Sequence, residues 1–161
     1  MNKKQVKAFL NVMGKGRERE ILCGTLVYEL NGKRGLIATD GYIMAMIYMD
    51  GIADNLKGRW IDRDMIDRWY KLAGGKDILT GADIAEMVSE KYTEKEYPKV
   101  GEYLKPEISP VSRISFNVEY LRTIQQLNND TPVILEFNGE NSKIIIDNEI
   151  MYSIIMPLKI K

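Results

Sequence analysis

The chain has 161 residues, 45% of them apolar and 29% charged, and its 23 basic and 23 acidic side chains cancel. That is enough for one domain or two small ones with a real core, and the zero net charge gives no whole-molecule pull toward nucleic acid or acidic substrates. Histidine is absent and Cys23 is the single cysteine, which removes the commonest general base, the commonest transition-metal ligand and any internal disulfide.

The first predicted element is a helix over Asn2 to Met13. Val6, Phe9, Leu10 and Met13 recur at one helical face, Asn2 with Gln5 makes a capping pair, and Gly14 and Gly16 close it. Strands follow over 22–30, 34–39 and 42–49, the first two joined by the hairpin signal Asn31-Gly32. A short strand at 58–61 leads into a second helix over Arg63 to Ala73, capped by Asp62 and ended by Gly74-Gly75, with Met65, Ile66, Trp69 and Leu72 as its stripe. The strands expected next, 77–79 and 84–92, are short and weakly patterned. Residues 93–112, with Pro98, Pro106 and Pro110, read as an extended connector. A strand at 113–116 leads into a third helix over Val118 to Leu127, capped by Asn117, with Tyr120, Leu121, Ile124 and Leu127 on one side. Strands over 132–137, 143–146 and 151–157 complete the chain, with Asn138-Gly139 as a second hairpin turn.

Helices two and three superpose at an offset of 55 residues: Ile61 with Phe116, Asp62 with Asn117, Met65 with Tyr120, Ile66 with Leu121, Trp69 with Ile124, Leu72 with Leu127. The unit is a strand, a helix and a three-strand meander, repeated in pattern rather than identity. The first copy lacks its leading strand and the second has a shortened meander. The expected class is α+β, with antiparallel sheets and helices on one face. The expected division is a domain at 1–92 built from two units, a connector at 93–112, and a half-domain at 113–161 packing against the rest. Near the C-terminus Ile154, Ile155, Met156, Leu158 and Ile160 put apolar groups on both faces of a strand interrupted by Pro157. Either both faces are covered or one is a docking surface.

Three strings carry a resemblance to the bacterial sliding clamp family, the processivity subunit of the replicative DNA polymerase. Leu36-Ile37-Ala38-Thr39-Asp40-Gly41-Tyr42-Ile43-Met44 resembles the family's ATDGHRL strand–turn–strand. Glu96-Tyr97-Pro98-Lys99-Val100 resembles its YPD connector. Phe116-Asn117-Val118-Glu119-Tyr120-Leu121, followed by Ile154-Ile155-Met156-Pro157-Leu158-Lys159-Ile160, resembles its last helix and VVMPMRL tail. The match covers the family's second domain, its connector and the last half of its third domain, and is closer in size to short, phage-type versions. The resemblance implies a DNA-clamp fold and an apolar pocket for short linear motifs of a DNA polymerase or other replication protein. Its walls would be Thr39, Gly41, Tyr42, Ile43, Met44, Pro98, Tyr103, Ile154, Ile155, Met156, Pro157 and Leu158. A preformed groove with aromatic and methionine walls suits such an anchor on physical grounds as well.

Tyr42-Ile43-Met44 stands where the family has His-Arg-Leu, and a basic residue expected after the connector proline falls near Glu102. The groove is therefore expected to be more apolar and less basic than usual. The resemblance also implies helices facing duplex DNA, with Lys3, Lys4, Lys7, Arg63, Arg68, Lys71 and Arg122 meeting phosphates without reading sequence. Three half-domains leave one unpaired, so encirclement calls for a homo-oligomer. The resulting expectation is a non-enzymatic processivity factor without cofactor or metal, cytoplasmic, with no membrane contact. The alternative of the same fold is a monomeric adaptor or decoy that binds clamp-motif peptides without encircling DNA. A metal-dependent nuclease on Asp62, Asp64 and Asp67 is disfavoured, because their positions suit a helix cap and first turn and no further ligand cluster stands beside them.

Overall fold

The computed structural model describes residues 1–100, 115–137 and 143–158. Helix α1 spans Lys3–Val12, α2 Arg63–Leu72, α3 Gly81–Met87 and α4 Val118–Leu127. The strands are β1 Gly24–Leu30, β2 Lys33–Thr39, β3 Ile43–Tyr48, β4 Arg59–Asp62, β5 Val88–Thr93, β6 Glu136–Phe137, β7 Ile144–Asp147 and β8 Met151–Ile155. Among the described residues they form one antiparallel sheet of eight strands in the order β5-β4-β1-β2-β3-β8-β7-β6.

Two helix-then-meander units, α1 with β1–β3 and α4 with β6–β8, meet twice. Strand β3 pairs with β8, from Ile43 opposite Ile155 to Ile47 opposite Met151. Above that seam α1 packs against α4. The strand orders β1-β2-β3 and β8-β7-β6 are mirror arrangements about the seam. The remaining unit, β4-α2-α3-β5, extends the sheet beyond β1 and sets α2 on the other flank of α1.

Period-two alternation divides the sheet into two apolar faces. The helix side carries Val27, Leu36, Ala38, Ile43, Ala45, Ile47, Ile144, Ile146, Met151 and Ile155, packed under Val6, Phe9, Ile66, Ile124 and Leu127. The opposite side carries Leu26, Ile37, Met44, Met46, Ile145, Tyr152 and Ile154, with Trp60, Tyr97 and Val100. Both faces of the C-terminal strand are thus used: every residue of β8 is buried. Helix α1 lies between two helices and the sheet, and six of its ten residues are buried.

Several expected elements differ from those observed. Residues 84–87 belong to helix α3, not to a strand, because Thr80 and Asp83 form a capping box that starts a helix at Gly81. The strand that follows begins at Val88. Segment 77–79 contributes a single bridge, Asn2 to Ile78. Of 132–137, only Glu136–Phe137 pairs in the sheet. Residues 115–117 form no strand, while 113–114 and the Asn138-Gly139 turn lie outside the described residues, as does most of the connector. A 3-10 turn over Arg17–Leu22, which had no periodic signal, fills the space between α1 and β1.

Gly35, in the middle of β2, permits the closest approach in the sheet. A Cβ there would lie 2.0 Å from the Ile47 carbonyl oxygen, a backbone atom that cannot swing aside. Gly35→Ala is expected to destabilise the fold by about 1–3 kcal/mol through overpacking, measurable as a lower urea midpoint with an unchanged slope.

Candidate functional site

The site begins at the turn between β2 and β3. Asp40 accepts backbone hydrogen bonds from Tyr42 N (2.9 Å) and Ile43 N (3.0 Å) on one carboxylate oxygen. Thr39 Oγ1 accepts from Gly41 N (3.0 Å) and donates to the Ile43 carbonyl (2.7 Å). Gly41 has φ +96°, a left-handed conformation that favours glycine. These four contacts fix a rigid loop and leave Tyr42 projecting, 63% exposed.

The chain's last described segment runs beside this loop. Past β8, Met156 N donates to the Tyr42 carbonyl (2.9 Å), and Leu158 N donates to the Ser115 carbonyl (2.7 Å). The third piece comes from the start of the connector. A turn in which Thr93 N donates to Glu96 Oε2 (2.8 Å) delivers Tyr97 and Pro98. Tyr97 is 2% exposed, and its hydroxyl donates to the Ile37 carbonyl (3.2 Å). Burial pushes this hydroxyl's pKa well above the ordinary tyrosine value. Tyr97 therefore acts as a neutral peg that holds Pro98 against the sheet.

Between the three pieces lies a cavity of about 100 Å³, lined by Arg19, Leu22, Thr39, Gly41, Tyr42, Ile43, Met44, Pro98, Ile154 and Met156. That is well below the ~300–1,000 Å³ of a typical small-molecule or cofactor site. It suits one or two apolar side chains presented by a larger partner. The rim is apolar and accessible, with Met156 36% and Leu158 47% exposed.

Eight of the twelve residues expected at this site border the cavity: Thr39, Gly41, Tyr42, Ile43, Met44, Pro98, Ile154 and Met156. Ile155 is fully buried and points to the helix side, as strand alternation requires. Pro157 and Leu158 lie just past the cavity wall, and Tyr103 falls outside the described residues. Arg19 and Leu22, both from the 3-10 turn, are lining residues that periodicity could not reveal. Arg19 also supplies a basic group in a groove expected to be less basic than usual.

The seven cations expected on the helices have varied surroundings. Lys3 Nζ donates to the Ala73 carbonyl (2.6 Å) and lies 5.1 Å from the Tyr70 ring centroid. Arg63 donates to the carbonyls of Leu10 and Met13 at the end of α1, where cations complement the helix dipole. Lys4 pairs with Asp130, Lys71 with Asp67 (2.6 Å) and Arg122 with Glu119 (3.4 Å). Lys7 and Arg68 are exposed and make no ion pair among the described residues. Asp62 caps α2 by accepting from Asp64 N (2.8 Å). No group of three or more potential metal ligands occurs among the described residues. No helix among them is long and apolar enough to cross a membrane.

Tyr152, opposite Met46 in the seam and on the sheet face away from the helices, has its hydroxyl pKa pushed up to about 12, first by burial and then by the Asp147 carboxylate. A tyrosine whose folded pKa lies above its unfolded value of 10.0 contributes stability below the unfolded pKa, and that contribution is lost as pH rises through the folded one. Urea unfolding is therefore expected to show a tyrosine-linked fall in stability between about pH 10 and 12. Tyr152→Phe should make that fall shallower, and parallel profiles would count against this origin.

A scan against protein-family models finds no match, and neither does a search of curated proteins. Solved structures do match. A DNA polymerase sliding clamp from Pseudomonas aeruginosa superposes with TM-score 0.68 at 15% identity, covering 99% of this chain and 66% of that one. The DnaN sliding clamp (DNA polymerase III subunit beta) from Bartonella birtlesii, bound to griselimycin, gives 0.67 at 13% identity, covering 98% and 63%. DNA polymerase III subunit beta from Borrelia burgdorferi, in complex with a natural product, gives 0.66 at 10% identity, covering 100% and 64%. The chain thus spans just under two thirds of each of these three clamps. Its α+β fold, with helices on one face of an antiparallel sheet, is the fold of the bacterial DNA polymerase sliding clamps.

Proposed function

We propose that this chain is a non-enzymatic, clamp-like processivity factor that captures short apolar motifs of a DNA polymerase or other replication protein. The motif would seat in the cavity between the Thr39–Met44 turn, Pro98 and the Ile154–Met156 strand end. The observation carrying this reading is the convergence of four separate chain segments on one small apolar cavity with exposed tyrosine and methionine at its rim. A preformed slot needs little ordering when a peptide binds, and methionine adapts to different anchors. A cytoplasmic setting follows from this role.

A fluorescent peptide carrying a replicative polymerase's clamp-binding motif tests the reading by polarisation titration. Met156→Ala and Tyr42→Ala are each expected to weaken binding about tenfold, the loss typical of a hot-spot contact, with the circular dichroism spectrum unchanged. Unaltered affinity in both variants would exclude this cavity as the binding site.

Encirclement of duplex DNA would use the α2-α1-α4 row in a homo-oligomer. A second reading, the monomeric adaptor, draws support from the same helices. Lys3 and Arg63 are occupied by helix-end carbonyls, and Lys4, Lys71 and Arg122 by carboxylates. Exposed pairs are worth only about 0–1 kcal/mol, so phosphates could compete for three of these five cations. Sedimentation at several concentrations separates the two readings. A clamp is expected to form a discrete oligomer whose retention on closed circular DNA falls steeply with salt. A monomer at high concentration with no DNA retention would favour the adaptor.

A further inference from the structure

Two walls of the cavity come from outside the regular strands, and both are fastened to β5 at the end of the sheet. Pro98 follows the turn in which Glu96 Oε2 accepts from Thr93 N (2.8 Å) and Thr93 Oγ1 (2.9 Å). Arg19 and Leu22 belong to the 3-10 turn Arg17–Leu22, whose backbone leaves helical geometry at Arg19 (φ −136°, ψ 67°), so no continuous helical ladder holds it. Contacts from other elements fix it instead. Glu20 Oε1 accepts from Lys91 Nζ (2.6 Å), and Glu20 Oε2 accepts from the Tyr92 hydroxyl (2.9 Å). The Trp60 indole N–H donates to the Ile21 carbonyl (3.1 Å), and Gly14 N to the Leu22 carbonyl (2.8 Å). Gly24 makes room for that indole, since a Cβ there would lie 2.3 Å from Trp60 Cζ2. The Tyr92 ring meets the Trp60 ring edge-on, with centroids 5.0 Å apart. One carboxylate thus ties the turn that bears Leu22 to the β5 residues beside this indole.

We infer that Glu20 is a positioning residue for the peptide pocket: by bridging Lys91 and Tyr92 it keeps the Arg17–Leu22 turn docked on β5, so that Arg19 and Leu22 wall the cavity before a peptide arrives. The inference rests on the peptide-pocket reading. A docked turn spares the peptide the cost of ordering that wall. With the bridge broken, only part of the population has the turn seated, and apparent affinity falls by that fraction. Glu20 and Lys91 are 57% and 44% exposed, which limits the effect to the scale of a surface contact.

The test is stopped-flow binding of the fluorescent clamp-motif peptide. Glu20→Ala is expected to bind it about threefold more weakly, the size of an exposed contact, with the loss in the association rate and the dissociation rate unchanged. Glu20→Gln, which keeps an acceptor for one of the two donors, should fall between. Lys91→Met/Tyr92→Phe should reproduce the loss, and adding Glu20→Ala to it should weaken binding no further, because all three side chains act through one bridge. Full affinity in Glu20→Ala and in Lys91→Met/Tyr92→Phe, with Met156→Ala still weakening binding, would overturn the positioning role and leave the pocket standing. A loss confined to the dissociation rate would make Glu20 a direct peptide contact and overturn that role equally. Absence of binding by every variant and by the unaltered chain would overturn both.

Discussion

The pairing of β3 with β8 is the contact on which the rest of this molecule depends. It joins strands from opposite ends of the chain, Ile43–Ile47 and Met151–Ile155, into one ladder. Through that ladder the two helix-then-meander units share a core, because the same register that sets Ile43 opposite Ile155 also stacks α1 on α4. It also brings Met156 to Tyr42, so the cavity exists only because the seam does. A one-residue slip would turn Ile154 and Met156 away from the slot and send Ile155 into it.

Within the site, strength and accessibility are separated. The floor is rigid: a turn closed by four hydrogen bonds and the buried Tyr97 hydroxyl on the Ile37 carbonyl. The Ile37 carbonyl also accepts from Thr25 Oγ1 (2.7 Å), so this one oxygen ties β1, β2 and the connector together. The rim, by contrast, is built of long side chains, Tyr42, Met156 and Arg19, which border the cavity and, among the described residues, make no side-chain hydrogen bond or ion pair. A rigid base with adaptable edges is suited to seating similar anchors from different proteins.

Much of the fold is written in local patterns. The stripes Val6-Phe9-Leu10 and Ile124-Leu127 mark α1 and α4, and their caps Asn2 and Asn117 start them at Lys3 and Val118. Asn31-Gly32, both at positive φ, marks the first hairpin. What escaped the pattern has physical reasons. Helix α3 has only seven residues, too few for a period to stand out, and its capping box Thr80-x-x-Asp83 was the available signal. The 3-10 turn that brings Arg19 and Leu22 to the cavity follows no 3.6 or 2.0 repeat. For the tail, alternation alone could have divided Ile154 and Met156 from Ile155. The resemblance to clamps named the whole string, and the pleat selects every second residue.

The seam also governs the order in which this protein can be made. Strand β3, Ile-Met-Ala-Met-Ile-Tyr, is synthesised well before its second neighbour, β8. Until then an apolar strand edge stands open, the kind of surface that invites pairing with other chains. Contacts of such long range also close slowly. A nascent or truncated chain lacking 151–155 would thus lack the slot and carry an uncovered edge in its place, so the cavity arrives together with protection from aggregation.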